Sequence, residues 1–285
     1  MSYSKRRSSR NSPRTMMPRS RTLYNLLKED WSDFKALANK RWSGIKGVDK
    51  KLLDSSLTNS KILGSGYFGI VLKTSNKKLV IKITSDHDEG YFNQLILNDP
   101  ELLYSKGLPY VLDCFHIPEW SAYVILRENV RFGLGSLPHS SPLARSIPHL
   151  DKFGEKTIKI EAMVAKALDS ISDVSGGITK ADFNAMYREA QGLIRIEIIK
   201  TLKKLPKTSR NSKYNEAMFV IEHALDKYGI ALWDLHSLNL GRHQYDMSEF
   251  NSDLDPLDKE CVLILDVGGN FGSPVMSQMI ENLEI

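Results

Sequence analysis

The chain has 285 residues, 41% of them hydrophobic and 26% charged, and carries a net charge of +5. That length allows one large domain or two lobes with a core each, and the composition is that of an ordinary globular protein. No apolar run approaches the roughly 20 residues that span a bilayer, so a soluble protein without a membrane partner is expected. The two cysteines, Cys114 and Cys261, both lie in apolar stretches; they exclude a disulfide framework and a zinc site, read as buried inert thiols, and fit a reducing cytoplasm.

The basicity belongs to one end. Residues 1–21 hold Lys5, Arg6, Arg7, Arg10, Arg14, Arg19 and Arg21 and no acid; without these seven the remainder has 32 basic against 34 acidic residues. This Ser/Arg/Pro-rich segment lacks the apolar surface that offsets ordering entropy, and we read it as a disordered basic tail. Its charge suits contact with nucleic-acid phosphates, and its serines beside arginines suit phosphorylation; an Arg- and Ser-rich transit peptide has the same composition. Residues 22–45 then carry Leu23, Leu26, Leu27, Trp31, Phe34, Leu37 and Trp42 at helical spacing, which predicts a helix packed on the body.

At residue 61 the pattern changes to strands. Gly64-Ser65-Gly66-Tyr67-Phe68-Gly69-Ile70-Val71 is a G-x-G-x-x-G-x-V match, followed by an apolar run, the turn signal 75–78 and a second run, Leu79-Val80-Ile81-Lys82-Ile83. A dinucleotide fingerprint would open a helix here. Strand–turn–strand instead describes a hairpin whose glycines let backbone N–H groups approach phosphate oxygens with no Cβ in the way. Lys82, alone among β-branched neighbours, either faces water by simple alternation or reaches the α- and β-phosphates of a nucleotide held by the loop. Glu89, at the start of a short helix predicted over residues 89–97, is the first plausible carboxylate partner for Lys82; a helix-start acid favoured by the dipole is the competing reading. Strands are expected over residues 110–116 and 122–126. Glu128 follows where the strand-rich half ends, either as an exposed linker carboxylate or as a point where backbone meets an adenine base.

Beyond residue 130 the pattern turns helical. A loop is expected over 132–149, and helices over 156–170, 179–203 and 215–227, the last ended by Gly229. Residues 231–241 read Ala-Leu-Trp-Asp-Leu-His-Ser-Leu-Asn-Leu-Gly. Transfer of phosphate to a hydroxyl needs a carboxylate to orient the hydroxyl and accept its proton, and oxygen ligands for magnesium. Asp234 fits the base and Asn239 a metal ligand. Asp266, at the end of the apolar run 262–265 and before Gly268-Gly269, fits the principal magnesium ligand. Each alone has an ordinary reading, as turn cap, Asx turn or strand end; their order along the chain carries the joint reading. His236 fits a loop hydrogen bond or a part in positioning phosphate. The acidic stretch 246–260 reads as a solvated loop.

At these residues the chain resembles the protein-kinase-like superfamily. GSGYFGIV is similar to its phosphate loop, VIKI to its strand lysine, WDLHSLNLG to its catalytic loop and LDVGG to its metal-binding Asp-Phe-Gly. The Asp-Leu-His-Ser-Leu-Asn run is most similar to early serine/threonine kinases of short-tailed bacteriophages. The resemblance implies an α+β, two-lobed kinase-like fold: a tail over 1–21, a helical extension over 22–58, a β-rich nucleotide-binding lobe over 59–130 and a helical catalytic lobe over 131–285. It also implies ATP and magnesium as cofactors, with Ser/Thr of a protein as acceptor. Leu232-Trp233 replaces the His-Arg before the catalytic Asp, and Val267 replaces the Phe of the metal motif. Nineteen residues follow Asp266, too few for an ordinary activation segment, so a reduced C-lobe is expected. A small-molecule kinase of the same superfamily and a pseudokinase-like binding protein are the alternatives.

Overall fold

A computed structural model describes residues 16–132, 215–230, 232, 239–252, 261–265 and 267. The helices expected over 156–170 and 179–203 lie outside the described residues, as do residues 1–15, Asp234, His236 and Asp266. The chain divides into two compact units; among the described residues the first comprises 16–105, 109–130 and 243–252. The fold is α+β, built on a five-stranded antiparallel sheet with helices. No helix among the described residues is long and apolar enough to cross a membrane.

The first unit opens with two helices where one was expected: α1, Pro18–Glu29, and α2, Trp31–Trp42. Asp30 leaves helical geometry (φ −98°, ψ 17°), and its carboxylate accepts from Trp120 Nε1 at 2.9 Å, which pins the joint. Helix α1 starts at Pro18, inside the segment expected to be a disordered tail. Proline suits the first helical position because its missing N–H has no partner to lose there. The apolar stripe also reaches upstream, since Met16 and Ser20 are buried in register with Leu23, Tyr24 and Leu27. In α2 the buried residues Phe34, Ala38 and Trp42 repeat every four positions, while Leu37 stands 44% exposed.

Strands β1 (Ile62–Ser65), β2 (Gly69–Lys73), β3 (Leu79–Thr84), β4 (Val111–Ile117) and β5 (Ala122–Glu128) form the sheet in the order β1-β2-β3-β5-β4. Thr74, Asn76 and Lys78 shape the β2–β3 turn: the Asn76 side chain accepts from Lys78 N–H at 3.0 Å, and the Thr74 hydroxyl donates to carbonyls across the loop. Between β3 and β4 lie α3, His87–Asn98, and a single turn, α4, Pro100–Leu103. Asp86 caps α3 by accepting from the N–H groups of Asp88 and Glu89.

Alternation gives the sheet two faces. Ile70, Leu72, Ile81, Ile83, Val124 and Leu126 pack against the buried faces of α1 and α2 in one core. That core also receives Met247 and Phe250, so the first part of the acidic stretch is not a solvated loop. The Phe250 ring sits where a Cβ on Gly47 would fall, a position whose φ of +77° also favours glycine. Lys78 Nζ donates to the Asp246 carbonyl and to Glu249. The opposite face carries Val71, Lys82 and Ile125, directly opposed across three strands, and α3 packs beside them on β3, β4 and β5.

The second unit, in its described part, holds residues 106–108, 131–132, 215–230, 232, 239–242, 261–265 and 267. A single cut at residue 130 therefore does not divide the chain: 106–108 belong to the later unit and 243–252 to the earlier one. Strands β6 (Arg131–Phe132), β7 (Leu240–Arg242) and β8 (Val262–Ile264) form an antiparallel ladder in that order. Helix α5, Asn215–Tyr228, buries Ala217, Val220, Ile221 and Ala224 along one stripe. Gly229 ends it at φ +68°, its N–H donating to the Leu225 carbonyl at 3.0 Å, as the sequence predicts. Residues 106–108 are stitched in by two bonds: Lys106 N–H to the Glu216 carboxylate and Ile264 N–H to the Gly107 carbonyl.

Candidate functional site

The glycine run is the tip of the β1–β2 hairpin. Gly66 N–H donates to the Gly69 carbonyl at 2.9 Å, closing a turn with Tyr67 and Phe68 at its exposed apex. Ser65 pairs with Ile70 and Gly64 with Val71. The three glycines differ in what they permit. A Cβ built on Gly64 or Gly66 would meet nothing within 4 Å, whereas one on Gly69 would come within 2.5 Å of the Ile83 carbonyl. Gly69 is thus needed for strand packing. Gly64 and Gly66 leave open space beside the backbone.

Lys82 lies on β3 opposite Val71, on the face away from the α1–α2 core. Alternation does turn it away from Ile81 and Ile83, but not into water: its side chain is only 14% exposed. The ammonium donates to Glu89 Oε1, and the Glu89 side chain is 2% exposed. Both readings of Glu89 hold together. It stands in the first turn of α3, where its N–H is capped by Asp86, and from there its carboxylate reaches Lys82. The pair survives with little water because each charge meets the other; removing one partner would strand a buried charge.

Glu128, the last residue of β5, is fully buried rather than an exposed linker carboxylate. Its N–H donates to the Tyr110 carbonyl at 2.8 Å, so that donor is not open to an adenine base. One carboxylate oxygen accepts from Tyr110 N–H at 3.3 Å and meets His243 Nδ1 at 2.8 Å. Asn129 N–H is taken by the Lys78 carbonyl. The Glu128 N–H and carboxylate thus fasten residue 243 and the start of β4 to the end of β5. Nothing in the spacing of the sequence pointed to His243.

In the second unit Asn239 immediately precedes β7, and its carbonyl accepts from Leu265 N–H at 2.8 Å. The β7–β8 register pairs Leu240 with Ile264 and Gly241 with Leu263. Asn239 is thereby tied to the end of this ladder; Asp266, 27 residues further on, lies outside the described residues. Cys261, Val262, Leu263, Ile264, Leu265 and Val267 are all buried, so β8 runs through apolar surroundings.

Sequence reasoning passed over Ser20. It is fully buried and its hydroxyl lies 2.5 Å from the Gly66 carbonyl, 3.1 Å from that of Gly69 and 3.3 Å from that of Tyr67. Ser20 is one of the serines beside arginines whose composition suits phosphorylation; its burial removes it from that group. The helical spacing of Met16, Ser20, Leu23 and Leu27 was the signal, hidden by the arginines between them.

A comparison with models of known protein families finds no match, and a comparison with curated proteins finds no relative.

Proposed function

We propose that the chain is an ATP- and magnesium-dependent phosphotransferase of the protein-kinase-like type, with Ser/Thr of a protein as acceptor. The observation that carries the proposal is the Lys82–Glu89 ion pair, formed between the strand that follows a glycine hairpin and the next helix. A lysine so held cannot wander; its ammonium is fixed on the face that Val71 and the open glycines share, ready to meet α- and β-phosphate oxygens. The sheet order β1-β2-β3-β5-β4, with α3 between β3 and β4 in the chain, supports the reading. The second half of the reading is supported by the order of Asp234, Asn239 and Asp266 along the chain.

In this reading Asn239 and Asp266 would hold magnesium, which would supply charge neutralisation at the phosphates. The backbone of residues 64–69 holds the phosphates, Lys82 orients them, and Asp234 accepts the proton of the attacking hydroxyl. The test is incorporation of labelled γ-phosphate with magnesium, wild type beside Lys82→Ala and Asp266→Ala, offering the chain itself, a mixed protein acceptor and small alcohols. Label on serine or threonine in the wild type alone supports the proposal. Label only on small alcohols reassigns the acceptor; ATP binding without transfer to any of them, or no ATP binding at all, overturns the assignment.

A further inference from the structure

The glycine turn is held from outside its own sheet. Ser20, in the first turns of α1, sends its hydroxyl to a group of three carbonyls, Gly66, Tyr67 and Gly69, sharing one proton among them at 2.5, 3.3 and 3.1 Å. Its neighbour Arg19 lies over the Phe68 ring at 5.0 Å and the Tyr67 ring at 5.8 Å, and the two rings meet edge to face at 4.7 Å. Helix α1 is fixed in turn by Leu23, Tyr24 and Leu27 in the core.

The orientation has a consequence for the opposite side of the turn. In a trans peptide the C=O of one residue and the N–H of the next point in opposite directions. Carbonyls 66 and 67 drawn toward Ser20 therefore turn the N–H groups of Tyr67 and Phe68 away from it, and neither N–H has an acceptor among the described residues. From this geometry we infer that Ser20 is a positioning residue of the phosphate site: by gathering the carbonyls on the α1 side it presents the Tyr67 and Phe68 N–H groups, preorganised, to an anionic phosphate. The inference rests on the nucleotide reading above and adds to it a residue on an element outside the hairpin. A glycine turn left free would sample many orientations and lose entropy on binding; the hydroxyl removes that cost in advance.

The test uses the whole chain and compares two ligands, MgATP and adenosine, by titration calorimetry. Adenosine lacks the phosphates that the turn would hold. Ser20→Ala is expected to weaken MgATP about five- to tenfold, the worth of one hydrogen bond, and to leave adenosine unchanged. In transfer assays KM for ATP rises while kcat stays nearly constant. Equal weakening of both ligands would mean a general loosening of the lobe and would overturn the inference, as would unchanged MgATP affinity in a folded Ser20→Ala. Should that variant fail to fold, Arg19→Ala, at an exposed position, decides: MgATP weakened about two- to threefold with adenosine unchanged supports the inference, as loss of one exposed cation–π contact predicts, and no change overturns it. A wild type that binds neither ligand overturns the nucleotide reading and this inference with it, an outcome distinct from tight MgATP binding that ignores Ser20.

Discussion

The two units assemble their candidate residues in different ways. In the first, the glycines, Lys82 and Glu89 fall within one stretch of 26 residues, and two hairpin registers and one capped helix are enough to bring them together. In the second, the ladder end at Asn239 depends on partners far apart in sequence: Gly107, Glu216 and Leu265. A site built from local structure tolerates change elsewhere; one built from distant segments fails when any of them slips. The first unit also holds its site between two packed layers, α1–α2 on one sheet face and α3 on the other, whereas the described ladder of the second has strands of two and three residues.

The largest effects are expected where the proposed chemistry sits. Asp266→Ala and Lys82→Ala should each reduce phosphoryl transfer by about a hundredfold or more, since positioning and electrostatic stabilisation supply nearly all of such catalysis. The two variants should differ in how they fold. Lys82→Ala leaves Glu89 buried without its cation and is expected to cost about 3 kcal/mol by denaturant titration, at the low end for a broken buried pair because Lys82 retains some exposure. A double variant, Lys82→Met with Glu89→Leu, should recover that stability and none of the activity. A double variant no more stable than the single ones would mean the pair is not the buried interaction described.

Next come the glycines that pack against backbone. Gly69→Ala in the first unit places a Cβ 2.5 Å from the Ile83 carbonyl, and Gly107→Ala in the second places one 2.4 Å from the Glu216 carbonyl. Both should destabilise by roughly 2–4 kcal/mol, the scale of overpacking against an element that cannot yield. Gly66→Ala, with nothing within 4 Å, should leave the melting temperature unchanged and still weaken MgATP about tenfold, by filling the phosphate cradle. Equal stability losses at Gly66 and Gly69 would erase the distinction between a glycine needed for the ligand and one needed for the fold.

These contrasts follow what the sequence made legible. Strand periodicity, the turn residues at 75–78 and the α5–Gly229 stop lie within short windows, so β2 to β5 and the end of α5 are legible to within one or two residues. Lys82 was recognised as exceptional for its apolar neighbours, but only the tertiary packing of α3 shows that its face is covered. What escaped were features of long range or mixed composition. Ser20 sits among arginines that made its segment look disordered; Asp30 breaks a helix whose apolar spacing runs straight through it. The burial of Glu128 depends on His243, 115 residues away. The exchange of 106–108 and 243–252 between units has no compositional signature at all, because it is set by which backbone carbonyls find donors.

The smallest effect separates the units most directly. Each holds one buried cysteine, Cys114 in the first and Cys261 in the second. Burial, with Asp113 and Glu89 nearby, pushes the Cys114 thiol up to about 12, and its Sγ lies 3.5 Å from the Gly90 carbonyl. A thiol so shifted offers almost no thiolate near pH 8, so a disulfide reagent should not modify it until the unit opens. With Cys261→Ala, labelling of Cys114 reports opening of the first unit; with Cys114→Ala, labelling of Cys261 reports opening of the second. The shorter ladder around Cys261 should open first, so Cys261 should label at lower urea than Cys114. Coincident labelling would show that the units unfold as one, and that the site residues tied to distant segments are as secure as those held by a single hairpin.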